Sequence, residues 1–133
     1  MVYAIFVLFL LTGLVGLISV KTRALCVKNG LVSADYFKLM QAQDVPVEMI
    51  KTTRCFNNLF EVPVLFYAVC SIYIGLGIDS IIGLLAAWTF VIARCAQAYI
   101  HITYNKVKHR RLAFATSVLC VATLWCDLLI FEM

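Results

Sequence analysis

Apolar residues along this chain gather into four long runs: Val2 to Val20, Val62 to Ile78, Ser80 to about Tyr104, and Leu112 to Phe131. A bilayer core about 30 Å thick needs about 20 helical residues at 1.5 Å rise each, so all four runs are long enough to cross it. Arg94 and His101 interrupt the third run, and Asp127 interrupts the fourth. The pattern predicts an all-α fold, an integral membrane four-helix bundle forming one four-span domain over residues 1–133. Composition agrees: 64% of residues are hydrophobic and 14% charged, with a mean hydropathy of +0.98, which excludes an ordinary soluble domain. The first run has no basic residue ahead of it and is followed by Lys21 and Arg23 rather than by a small-residue cleavage site, so it reads as a retained span and not a leader.

Charge orients the spans. Lys21, Arg23, Lys28, Lys38, Lys51 and Arg54 lie between the first and second runs, and Lys106, Lys108, Arg110 and Arg111 between the third and fourth. Asp79 is the only charge in the second connection, and both termini lack basic side chains. The positive-inside rule therefore predicts two cytoplasmic basic loops and two non-cytoplasmic ends. Because these cations flank spans instead of forming one exposed basic face, the net charge of +4 is an orientation signal, and no nucleic-acid partner is expected. Lys106, Lys108, His109 and Arg111 read as headgroup anchors.

The loop after the first run contains the turn Asn29-Gly30, and Asp44, Pro46 and Glu48 mark a helix start near Val45. From there the spacing predicts one continuous helix through Arg54 and Glu61 into the membrane, bent at Pro63 because Pro63 has no N–H for the Leu59 carbonyl. On that helix Arg54, Asn58 and Glu61 fall at i, i+4 and i+7, one polar face at the membrane boundary. The third span carries a second stripe, Arg94, Gln97, His101 and Asn105, at i, i+3, i+7 and i+11. Counted from the connection near Asp79, Glu61 and Arg94 lie roughly 27 Å and 22 Å deep at 1.5 Å per residue, within one turn of each other. Glu61 or a ligand carboxylate is thus the expected partner of Arg94. Asp127, near the outer end, reads as a solvated or interhelical group, and Tyr3, Tyr73, Trp88 and Trp125 as belt or packing residues.

Other chemistries are poorly served. Six scattered cysteines without a CxxC exclude a membrane thiol oxidoreductase, and no metal site is expected. The first run lacks the acidic residue that a small four-span exporter would carry. A non-catalytic membrane assembly subunit with no bound thiol remains the alternative to an enzyme; there the Arg54, Asn58 and Glu61 face would only pack against a neighbouring helix.

The stretch Arg54-Cys-Phe-Asn-Asn58-Leu-Phe-Glu61-Val-Pro63 resembles the Arg, Asn, Glu signature of the membrane-associated proteins in eicosanoid and glutathione metabolism, the MAPEG family. Phe66-Tyr67 resembles its bacterial members, and Arg94 and Arg110 resemble its third-helix and following-turn arginines. The resemblance covers about residues 45 to 115. It implies a homotrimer in a bacterial inner membrane, with glutathione as co-substrate bound between subunits near the cytoplasmic side. The implied activity is a microsomal-type glutathione transferase or peroxidase acting on a lipophilic small molecule drawn from the lipid bilayer. Arg110 would be catalytic, stabilising the thiolate, while Arg54, Asn58, Glu61, Arg94, Gln97 and His101 would bind the tripeptide. The residue types suit that ligand: arginines for two carboxylates, an acid for the ammonium, and positive potential for the thiol. Where the best-known catalytic members carry an aromatic hydroxyl on the third-helix stripe this chain has Gln97 and His101, and four residues after Arg110, where they have a tyrosine, it has Phe114.

Overall fold

The computed structural model describes residues 1–39 and 44–132. Six helices are found, α1 (Val2–Lys28), α2 (Tyr36–Leu39), α3 (Val47–Asn58), α4 (Val62–Leu76), α5 (Ile81–Ile102) and α6 (Val107–Glu132), and no strand occurs among the described residues. Four stretches are long and apolar enough to cross a membrane, Val2–Lys28, Val47–Leu76, Ile81–Ile102 and Val107–Phe131. The protein is thus an integral membrane helical bundle. Both α1 and α6 run beyond their apolar cores, carrying Lys21 to Lys28 and Val107 to Arg111 on continuous helix. Hydropathy marks the hydrocarbon thickness, whereas the hydrogen-bonded helix continues into the interface.

The second span departs from expectation. Instead of bending at Pro63, the helix breaks: α3 ends at Asn58, Leu59 and Phe60 form a turn, and Glu61 precedes α4 with Pro63 in its first turn. A proline without an N–H is favoured where that donor would be unpaired anyway, so opening a new helix avoids the interior clash that a bend would retain. Among the described residues no main-chain hydrogen bond joins residues up to Phe60 with residues from Glu61 on. The helix start falls at Val47 with Pro46 as the preceding cap, two residues later than the sequence suggests, and Glu48 sits in the first turn.

At the opposite end the α4–α5 connection is tight. Gly77 takes a left-handed φ of 66°, Ile78 N–H donates to the Tyr73 carbonyl at 3.0 Å, and the Ser80 hydroxyl accepts from Gly83 N–H at 3.0 Å. These are a glycine C-terminal motif and a serine N-cap back to back. The turn from α5 into α6 uses Asn105 at φ 51°, with its N–H on the Ile100 carbonyl at 2.8 Å. Asn105 therefore lies beyond the helix, and the stripe on α5 comprises only Arg94, Gln97 and His101.

The membrane-embedded core joins Leu8 of α1, Phe66 and Val69 of α4, Phe90 of α5 and Leu124 of α6. Phe66 and Phe90 stack with centroids 4.2 Å apart and planes 1° from parallel. A second cluster of Val15, Cys55, Leu59 and Ala98 holds α1, α3 and α5 together below it. There Gly16 admits the Phe56 ring so closely that a Cβ would lie 3.0 Å from it. Arg23 on α1 reinforces this contact by donating to the Thr53 hydroxyl on α3 at 3.2 Å. All six cysteines are free.

Candidate functional site

The α5 stripe faces into the bundle at the end that carries the basic loops. Arg94 and His101 are each 1% exposed and Gln97 is also buried, so an arginine is enclosed where charge is costly. Its guanidinium lies between two rings, 5.4 Å from the Phe90 centroid and 5.5 Å from that of Phe114. Phe90 comes from the preceding turn of the same helix and Phe114 from α6, so both spans fix the cation by cation–π contact. Arg94 Nη1 donates to Gln97 Oε1 at 2.8 Å. Nε and Nη2 are buried without a partner, as is His101 Nδ1. Those two nitrogens form the edge with which a guanidinium forks a carboxylate.

Two hollows share walls in this region, and Arg94 lines the smaller of them. The inner one, about 10 Å³, is lined by Cys55, Asn58, Leu59, Arg94, Gln97, Ala98 and His101. The outer one, about 280 Å³, is lined by Asn58, Gln97, Val107, Arg110, Arg111 and Phe114. Asn58 and Gln97 belong to both walls. Asn58 is tied down by its Nδ2, which donates to the Arg54 carbonyl at 2.9 Å. Arg110 Nη1 donates to Asn105 Oδ1 at 2.8 Å, while its Nε is buried and unpartnered.

Thus Asn58, Arg94, Gln97, His101 and Arg110 are assembled around two hollows that share the Asn58 and Gln97 walls. Arg54 and Glu61 are exposed and line neither hollow. Glu61 forms no ion pair with Arg94 within the protomer; the ion pairs among the described residues are Lys38–Asp35 and Lys51–Glu48. The break at Leu59 and Phe60 explains the difference, because the i+7 relation between Arg54 and Glu61 holds only on an unbroken helix. Sequence reasoning missed the Phe90 and Phe114 clamp, although Phe90 at i−4 from a buried arginine was a usable signal. It also assigned Arg111 to the headgroups, whereas that residue lines the outer hollow.

Arg94, Arg110 and Arg111 give this region a surplus of positive charge with no carboxylate within ion-pair distance among the described residues. Such an arrangement suits a carboxylate-bearing or otherwise anionic ligand. Neither a curated protein nor a solved structure matches the chain. The profile of the MAPEG family matches residues 1–130.

Proposed function

From the premise that this chain belongs to the MAPEG family, which includes glutathione-dependent transferases and others, we propose that it binds glutathione and acts, as transferase or peroxidase, on a lipophilic electrophile. The observation that carries this reading is the buried Arg94 with its free Nε and Nη2 edge, beside an open hollow walled by Asn58, Gln97 and Arg110. A tripeptide with two carboxylates, an ammonium and a thiol needs this set of cations and amides.

Arg94 takes one carboxylate, and Asn58 and His101 supply hydrogen bonds around it. Arg110, at the mouth, stabilises the thiolate once the S–H proton has passed to water, since nearby positive charge favours the ionised sulfur. The thiolate then attacks the electrophile's carbon, forming C–S as the leaving group departs with its electron pair. Arg54 and Glu61, exposed on the protomer, complete the site as carboxylate and ammonium partners at the junction with a neighbouring copy in a homotrimer. Both basic loops face the cytoplasm, where reduced glutathione is abundant.

The test is to titrate detergent-solubilised protein with glutathione while following thiolate absorbance, and then to add a generic electrophile. Saturable thiolate formation followed by turnover supports the proposal. No binding at millimolar glutathione overturns it in favour of a non-catalytic assembly subunit.

A further inference from the structure

Gln97 hydrogen-bonds Arg94 and lines both hollows, and its side chain has a flexible stem. Its carbonyl oxygen accepts from Arg94 Nη1 at 2.8 Å, inside the bundle. Asn58, the other shared wall, is held by the Arg54 carbonyl. Behind this wall is a space of about 10 Å³ lined by Arg94 and His101, whose Nε, Nη2 and Nδ1 are buried without hydrogen-bond partners. That is room for one water, which could meet two to four polar groups, but not for a carboxylate. In front of it is a hollow of about 280 Å³ with Arg110 and Arg111 on its rim.

We infer that Gln97 is a gate on a buried carboxylate-binding chamber: its amide stands in for the ligand on Arg94 in the empty protein and swings away when an anionic group arrives. The inference deepens the glutathione reading and rests on it for the ligand's identity, though not for the gate itself. Gln97 changes from a holder of the tripeptide to a positioning residue that controls access to Arg94.

The physical reason is competition for a single cation. A neutral amide accepts one hydrogen bond from Arg94, whereas a carboxylate makes two charge-assisted ones, roughly twice as strong each. An arriving carboxylate therefore displaces the amide, and the inner and outer spaces merge. In the absence of ligand the amide keeps a buried guanidinium from losing every partner, a state costly inside a membrane.

Two readouts on the full-length solubilised protein separate the possibilities. The first is modification of Arg94 by phenylglyoxal, followed by peptide mass spectrometry, which needs no glutathione. Wild-type Arg94 should react slowly. Gln97→Ala, and the near-isosteric Gln97→Met if the alanine variant does not fold, should react about tenfold faster, and an added carboxylate, acetate, should slow them again.

The second readout is glutathione association followed by stopped flow. Gln97→Ala or Gln97→Met should bind faster with undiminished affinity. Gln97→Glu, whose carboxylate pairs permanently with Arg94, should bind about tenfold more weakly or worse while Arg94 stays unreactive. Wild-type labelling rates in Gln97→Ala and Gln97→Met, or weakened binding in those variants, would overturn the gate and return Gln97 to direct contact. If wild-type protein binds no glutathione, the functional proposal fails, and the labelling rates alone decide the gate.

Discussion

Tyr73 of α4 lies with its hydroxyl 2.7 Å from Asp127 Oδ2 and 3.0 Å from the Leu124 carbonyl of α6, both bonds buried in the half of the bundle opposite the basic loops. Gly83 of α5 closes the arrangement, since a Cβ there would meet Tyr73 Cε1 at 3.0 Å and Asp127 Oδ2 at 3.2 Å. Three spans therefore meet at one polar node far from the arginine site. Removing the donor leaves a carboxylate enclosed, so Tyr73→Phe should destabilise the fold by about 1–3 kcal/mol in denaturant unfolding from mixed micelles. Asp127→Asn, which keeps an acceptor for the phenol, should cost less. Equal stability of Tyr73→Phe and wild type would show that the node is not holding the spans.

Gly83 and Gly75 offer a matched comparison. Gly83→Ala must displace the Tyr73 ring or the Asp127 carboxylate, at about 1–3 kcal/mol. Gly75→Ala meets nothing within 4 Å and should leave stability unchanged or raised. Thermal midpoints of the two variants, read in the same detergent, give the answer; similar midpoints would contradict the packing.

Replacing Arg94 tests whether function and stability conflict at the site. With one hydrogen bond and two unpartnered nitrogens, Arg94 is under-compensated, and Arg94→Met should be neutral or stabilising by about 1–4 kcal/mol while abolishing glutathione binding. A strongly destabilised variant would mean that the guanidinium is better satisfied than its geometry indicates.

Glu61 makes no ion pair with Arg94 within the chain, though its charge still acts on the buried guanidinium, so Glu61→Gln and Arg94→Gln should couple only weakly, by less than about 1 kcal/mol. Glutathione affinity should nevertheless fall in Glu61→Gln. Recovery of stability in the double variant would instead reveal a coupling supplied by assembly.

Orientation is checked by a reporter active only in the cytoplasm, fused after Met133. The reporter should be silent, because the basic residues cluster from the end of α1 to α3 and around the α5–α6 turn.

The four spans were legible because hydropathy over about 20 residues is a strong signal and the bilayer permits few alternatives. Arg94, Gln97 and His101 were legible as a face because α5 is regular up to Ile102. Glu61 was misplaced because periodicity extrapolates through a proline that the chain uses to start a new helix. Asn105 was misplaced for a related reason: asparagine tolerates the left-handed turn that ends α5. Asp127 was recognised as a possible interhelical group, but the identity of its donor depends on tertiary register, which one sequence does not encode locally. The Phe114 ring over Arg94 likewise needed the packing of α6 on α5.

The interruption at Leu59 and Phe60 makes the second span two rods rather than one. The upper rod is anchored by the stacked Phe66 and Phe90, and the lower is clasped to α1 through Phe56 on Gly16 and Arg23 on Thr53. With no main-chain hydrogen bond across the joint, a load on one rod is not transmitted to the other through a helical ladder. Asn58 is the last residue of the lower rod, so a small tilt of that rod would change the mouth of the hollow without straining the membrane core. In mechanical terms the second span is a jointed strut, its joint set by the proline that opens the upper rod.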